Sequence, residues 1–227
     1  KYLKSLGVKK IKFLGNLKFT QSEKNITDLN KNLRKFFFSK KIWCASSTHE
    51  TEEIICAQVH KRLKTQYKNL LTIIIPRHIH RTEEIINQMK KMNLKIHLHS
   101  SKNKIDRNTD IYIVNSFGQT KSFFKVCKII FLGGSMIKHG GQNPLEAARF
   151  GCKILHGPNV WNFDEIYSLL KKNKVSKKVI NSNQLFINVE KMHNSKKKNK
   201  NLEKKIKNLG NKILTSTLNE IDFYINK

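Results

Sequence analysis

The residues best suited to chemistry sit in one stretch, 128–151. It opens with the apolar run Ile129-Ile130-Phe131-Leu132, short enough for a buried parallel strand. The run stops at Gly133-Gly134-Ser135, and a second glycine pair follows at Gly140-Gly141. Next comes Asn143-Pro144-Leu145-Glu146, which predicts a helix start. Asn143 serves as N-cap, Pro144 fits the first helical position, and Glu146 stands three residues after the cap, as in a capping box. Gly151 closes that helix. Strand, glycine-rich loop and helix N-terminus together turn backbone N–H groups and a positive dipole end toward a crevice, which suits a phosphate or a nucleotide. An ordinary strand-to-helix turn that contains glycine explains the same residues, and a glycine loop alone does not separate the two.

Further candidates follow other apolar runs. After Ile42-Trp43-Cys44-Ala45 comes Ser46-Ser47-Thr48-His49-Glu50-Thr51-Glu52-Glu53. Ser47 or Thr48 is expected to cap the next helix, which runs to about Tyr67, and the acids suit its positive end. Glu52 and Glu53 are therefore read as helix-start charges rather than as a general base. The continuous β-branched run Leu70-Leu71-Thr72-Ile73-Ile74-Ile75 ends at Pro76-Arg77-His78. A basic residue there lies where open α/β sheets bind ligands, and the planar fork of Arg77 can hold a phosphate; a solvated loop arginine is the plainer alternative. His97 and His99 alternate on one strand face, but no third ligand is suitably spaced, so no metal is expected.

The elements that would position these groups alternate along the chain. Strands are expected at 11–14, 42–45, 70–75, 95–99, 110–114, 129–132, 153–155 and 179–180, with helices between them at 28–38, up to 67, 82–92, 121–127, after 143, 163–174 and 183–193. This predicts an α/β fold, a Rossmann-like parallel sheet with helices on both faces. The 227 residues suffice for one good core. Residues 1–9 read as a linker, and 10–194 as the domain. From Ser195 the composition shifts to a charge run, Lys196-Lys197-Lys198-Asn199-Lys200, and then to a stripe of Leu202, Ile206, Leu209, Ile213, Leu214, Leu218 and Ile221. Residues 195–227 are expected to form a basic amphipathic helix that packs on the domain, crosses to another, or lies on an anionic membrane.

The formal net charge is +29. Such an excess suits nucleic acid, anionic membrane or acidic ligands, although the joint richness in Lys, Asn and Ile is also what an A/T-rich genome imposes. A nucleic-acid module would need basic residues interleaved with stacking aromatics or a reading helix, and neither is visible, so no nucleic acid is expected as partner. Cys44, Cys56, Cys127 and Cys152 form no CxxC pair and sit among apolar residues, reading as reduced core thiols of a cytosolic protein. No apolar run approaches the ~20 residues needed to span a bilayer. The chain opens at Lys1 without Met, as though cut from something longer.

Taken in order, several stretches resemble one family, the 3-deoxy-D-manno-octulosonic acid (Kdo) transferases. Gly15-Asn16-Leu17-Lys18-Phe19 resembles the GNLKF that opens the family's C-terminal domain, and 45–53 resembles its A-S-T-H-E-x-E-E. Pro76-Arg77-His78 with Arg81 resembles P-R-H-x-x-R, and Gly133-Gly134-Ser135 with Gly140 through Glu146 resembles the central signature. Asn162-Phe163 also matches. The resemblance spans about residues 10–190. Two stretches depart from it. Where the family has D-T-M-G-E-L, this chain has Asn115-Ser116-Phe117-Gly118-Gln119-Thr120, so two carboxylates have become amides, which keep hydrogen bonding but lose charge. Gln142 stands where the family usually has His.

The resemblance implies the C-terminal donor-binding domain of a GT-B glycosyltransferase. The family transfers Kdo from CMP-Kdo to a lipid A precursor, in lipopolysaccharide core biosynthesis, at the cytoplasmic face of the bacterial inner membrane. It needs no cofactor and no bound metal. Carried over, the CMP-contacting positions are Pro76, Arg77, Phe117, Gly118, Gln119, Asn143, Pro144, Leu145 and Glu146, with Ser47, Thr48, His49, Gly134 and Ser135 as secondary donor contacts. Glu146 would accept from ribose hydroxyls while Asn143 and backbone N–H groups face the phosphate. The family's catalytic carboxylate and acceptor surface lie in its N-terminal half, so no catalytic residue is assigned to this chain. The implied partners are CMP-Kdo, the lipid A precursor, an N-terminal half if separately encoded, and the anionic inner-membrane surface. A remnant of a split gene that only binds CMP is the alternative.

Overall fold

A computed structural model describes residues 2–20, 27–195 and 202–226. Among the described residues seven parallel strands form, six of them on apolar runs: β1 (Lys41–Thr48), β2 (Leu70–Pro76), β3 (Ile96–Leu98), β4 (Ile111–Ile113), β5 (Ile129–Leu132), β6 (Lys153–His156) and the polar β7 (Ser176–Lys178). Their order is β3-β4-β2-β1-β5-β6-β7. The chain leaves β1 toward one edge and leaves β5 toward the other. The seam between β1 and β5, where Cys44 stands beside Ile130 and Ser46 beside Leu132, is the topological switch point.

Period-two alternation splits the apolar side chains between two faces. Cys44, Leu71 and Ile73 point to a core shared with α2 (Lys31–Phe38), α5 (Thr120–Val126), α6 (Leu145–Arg149) and α7 (Asp164–Lys172). Trp43, Ala45, Leu70 and Ile74 point to a second core shared with α3 (Glu52–Gln66), α4 (Thr82–Lys91) and α8 (Ser182–Asn194). The expected α/β architecture with helices on both faces is what forms. All four cysteines are buried and unpaired in these cores.

Two expected strands differ. Residues 11–14 join no ladder. They lie instead beside α9 (Leu202–Ile225), where Lys12 pairs with Glu220. The last strand falls at Ser176–Lys178 rather than at 179–180, since β6 offers its ladder to those residues. The stripe on α9 divides. Ile206 and Ile213 are buried on the domain, whereas Leu214, Leu218 and Ile221 are exposed. The packing depends on glycine: a Cβ on Gly210 would stand 2.4 Å from the Phe19 carbonyl oxygen, and one on Gly15 2.8 Å from the Ile213 side chain. The GNLKF stretch thus serves as the seat of α9. The charge run 196–200 lies outside the described residues. No described helix is long and apolar enough to cross a membrane.

Candidate functional site

The carboxyl ends of β1 and β5 bring 47–49 and 133–135 together at the switch point. The ladder between β1 and β2 slips after Ser46, so that Thr48, not Ser47, faces Pro76. Ser47 is extruded with φ 55, and Thr51 has φ 74. Left-handed non-glycine residues are strained, and such strain gathers where structure is held for a purpose. The helix expected to be capped by Ser47 or Thr48 starts later: Thr51 takes the cap position and its side chain caps nothing. Thr48 is wholly buried and its carbonyl accepts from Arg77 N–H at 2.9 Å.

Glu52 does more than greet a helix dipole. It is wholly buried. Its Oε2 accepts from the N–H of Gly134 at 2.7 Å and of His49 at 3.0 Å. Its Oε1 accepts from Ser135 at 3.1 Å and Met136 at 2.9 Å. The expectation that the backbone of the first glycine loop faces a phosphate is therefore corrected: those N–H groups face Glu52. Glu53 is likewise buried, and its carboxylate accepts from Arg81 at 3.1 Å. Sequence reasoning missed both roles because acids at a helix start already had an explanation. The signal lay in accounting for backbone donors, since a buried loop with successive N–H groups requires an acceptor.

Gly133 has to be glycine, because a Cβ there would stand 2.4 Å from the Ser47 carbonyl oxygen and 2.7 Å from Glu52 Oε2. Ser135 is buried, its hydroxyl donating to the Leu132 carbonyl and accepting from Gly157 N–H at 2.7 Å. Both Gly134 and Ser135 thus sit within the wall of the site.

Imidazoles gather over this wall. His49 is 6% exposed, with Nδ1 3.1 Å from the Ser47 carbonyl and Nε2 without a partner. Its ring lies 4.2 Å from that of His139 and 5.7 Å from that of His78, which in turn lies 5.5 Å from His80. Burial first, and then the neighbouring His139, push the His49 pKa down to about 4, so the ring is neutral at pH 7. His139 was not singled out by sequence and His78 only as part of the P-R-H motif; as paired imidazoles, sequence looked instead at His97 and His99. Those two pack on Tyr112, and His99 Nδ1 is 2.8 Å from its hydroxyl. Among the described residues no group of three or more His, Cys, Asp or Glu is placed to hold a metal ion.

The second glycine pair is tied to the first by Gly141 N–H donating to the Gly134 carbonyl at 2.8 Å. Tyr167 donates its hydroxyl to the Gln142 carbonyl at 3.0 Å. The helix that follows is shorter than expected. It begins at Leu145, with Pro144 in the cap position, and Asn143 Oδ1 accepts from Leu145 N–H at 3.1 Å. No capping box forms: the Glu146 carboxylate turns outward, 42% exposed and 3.9 Å from Lys121 Nζ. Gly151 does close the helix, with φ 70. A five-residue helix has little macrodipole, so side chains and loop groups carry any ligand here.

The remaining candidates surround this centre. Pro76 is buried in the β2 ladder, while the Arg77 side chain is exposed next to it. Phe117 is 84% exposed beside Gly118, whose φ is 76. Gln119 stands just before α5. Lys121 of α5 links that loop to Glu146. Asn115 is committed elsewhere: its Oδ1 accepts from Ser100 N–H at 3.1 Å and its amide donates to Ser100 Oγ at 2.8 Å. The site therefore has a wall of 47–49, 133–136 and Glu52, buried apart from half-buried Ser47 and Met136, and an open rim of Arg77, Phe117, Gln119, Gln142, Asn143 and Glu146. A cation, amides and one carboxylate around the neutral His49 ring can bind a phosphate and the hydroxyls of a sugar.

No protein-family model matches the sequence. Among curated proteins, the chain is 33% identical over 171 residues to a 3-deoxy-D-manno-octulosonic acid transferase of Haemophilus influenzae, covering 71% of this chain and 38% of that one. It is 35% identical over 182 residues to the transferase of the same name from Rickettsia conorii, covering 79% of this chain and 39% of that one. The chain thus spans about two fifths of the length of the curated relatives it matches. Among solved structures, the C-terminal CMP-Kdo binding domain of WaaA from Acinetobacter baumannii superposes with a TM-score of 0.66 at 20% identity, over 81% of this chain and 93% of that one. The chain is a relative, by sequence, of the 3-deoxy-D-manno-octulosonic acid transferases over part of their length, and it shares the fold of the C-terminal CMP-Kdo binding domain of WaaA.

Proposed function

We propose that this chain supplies the donor-nucleotide domain of a glycosyltransferase that moves Kdo from CMP-Kdo to a lipid A precursor, in lipopolysaccharide core biosynthesis. The observation that carries the reading is the meeting, at one topological switch point, of the motif residues Ser47–His49, Pro76-Arg77 and Gly133 through Glu146. The names of the sequence relatives support the sugar, and the name of the superposing domain supports the nucleotide. Arg77 is the rim cation for the donor phosphate. Glu146 accepts from ribose hydroxyls, and Asn143, Pro144 and Leu145 form the edge on which the nucleotide lies. Phe117, Gly118 and Gln119 close over it from the neighbouring loop. His49 stays neutral and works by hydrogen bonding rather than by charge.

The domain binds and orients the donor without a metal. The general base and the lipid acceptor surface come from a further domain, the N-terminal half if encoded separately. The assembled enzyme works as a peripheral protein at the cytoplasmic face of the bacterial inner membrane, and the lysine-rich surface suits anionic lipid. Calorimetric titration with CMP tests the donor assignment; saturable binding by the wild type, weakened in Arg77→Ala, is expected.

A second reading is a remnant that binds CMP without catalysis. The amides Asn115 and Gln119 favour it, since Asn115 spends its amide on Ser100 rather than on the crevice. Assaying Kdo transfer to a lipid A precursor, with the chain supplemented by the N-terminal half of a relative, separates the two: product formation sinks the remnant reading.

A further inference from the structure

The first glycine loop has the form of an anion-binding nest. Gly134 takes φ 64, and the successive N–H groups of Gly134, Ser135 and Met136 converge on one point. In a nucleotide-binding sheet that point is where a ligand phosphate would be expected. Here it is filled from within. The Glu52 carboxylate takes all three donors and adds a fourth, His49 N–H. The carboxylate is wholly buried, and the Gly133 backbone closes on it so tightly that a Cβ would stand 2.7 Å from Oε2. A substrate phosphate would have to expel a buried carboxylate and leave it unpaired, which is far costlier than binding at the open rim.

We propose that Glu52 is a positioning residue that serves as a built-in anion. It locks the nest, fixes the 134–136 backbone against His49 and Gln142, and thereby directs the donor's phosphate outward to the rim around Arg77 and the 140–146 stretch. The carboxylate does the work that a bound phosphate does in other glycine loops. The claim deepens the donor-site reading and rests on it for the direction of the phosphate, but the filled nest stands on its own geometry. It also explains the loop's composition. Two glycines are needed to wrap a carboxylate, one for close approach and one for the left-handed turn.

The test is chemical rescue. Glu52→Ala leaves a cavity lined by four inward N–H groups, so a small anion should refill it. Formate is the probe, and formamide, its neutral counterpart of the same size, is the control. The expected result is a melting midpoint lowered in Glu52→Ala by several degrees, raised again by formate and not by formamide, with the wild type insensitive to both. CMP affinity should fall at least about tenfold in the variant and return with formate. Glu52→Gln should behave like the unrescued variant, because an amide turns donors toward donors. If Glu52→Ala does not fold, the same comparison is made on refolding from denaturant, where formate should raise the yield and formamide should not. Equal effects of formate and formamide, or a Glu52→Gln chain with the wild-type midpoint and CMP affinity, would overturn the proposal. A wild-type chain that binds no CMP would instead count against the donor reading, while the formate arm would still decide the role of Glu52.

Discussion

The two glycine pairs of the crevice are built from the same residue type and do opposite work. Gly133-Gly134 is sealed: its N–H groups end on the Ser46 carbonyl and on buried Glu52. Gly140-Gly141 also packs tightly, against Asn162 and Val160, but it leads into half-buried Gln142, Asn143 and Glu146, whose side chains reach the rim. One stretch is scaffold, the other the proposed interface. A glycine-rich motif is thus not itself evidence of ligand contact; what decides is whether its N–H groups already have an internal acceptor.

Substitutions should divide along that line. The largest effect is expected at Gly133→Ala, where the new Cβ meets backbone of 47 and 48 at 2.4 and 2.6 Å. Denaturant unfolding should register a loss of about 3 kcal/mol. A loss under about 1 kcal/mol would mean that the sealed wall yields easily.

The sealed side should also carry part of the acid sensitivity, beside His193 of α8, whose pKa burial likewise lowers to about 4. His49 and His156 are both buried, and burial first of all pushes each pKa from 6.5 down to about 4. The unfolded chain therefore binds more protons between those values. Stability should be full above about pH 6.5 and decline as the pH falls toward 4, by at most about 1.4 kcal/mol per pH unit for each histidine. His156→Gln should flatten the slope measured by denaturant melts at stepped pH. An unchanged slope would remove His156 from the account.

On the open side, binding should change while the fold does not. Arg77→Ala is expected to weaken CMP binding roughly tenfold and to move stability by less than about 0.5 kcal/mol. Gly118→Ala should be milder than Gly133→Ala, since no atom lies within 4 Å of its Cβ position and only the left-handed φ of 76 resists, at about 1 kcal/mol. Equal losses at the two glycines would erase the distinction between wall and rim.

Much of this was legible in the residues. The continuous runs at 70–75 and 129–132 fixed two central strands, because strands buried on both faces leave unbroken apolar stretches. Order along the chain placed 47–49 and 133–135 at strand ends, and so near one crevice. Glu52 was hidden because Glu50, Glu52 and Glu53 look alike in sequence, and only the register of the helix decides which one enters the loop. The strand expected at 11–14 failed for a different reason. The stretch runs beside α9 rather than in a ladder, with Lys12 paired to Glu220 and Gly15 against Ile213 while Ile11 and Phe13 stay exposed, a long-range pairing that local patterning does not reveal. The capping box at Glu146 failed because Pro144 took the cap position and the helix began one residue later.

The most direct test of the donor crevice is a CMP titration of the whole chain by calorimetry, run beside Glu146→Ala. The account predicts saturable binding by the wild type, reduced roughly tenfold or more in a variant that melts at the same temperature. Wild-type chain that shows no saturation at millimolar CMP, or a variant that binds as tightly as the wild type, would contradict it.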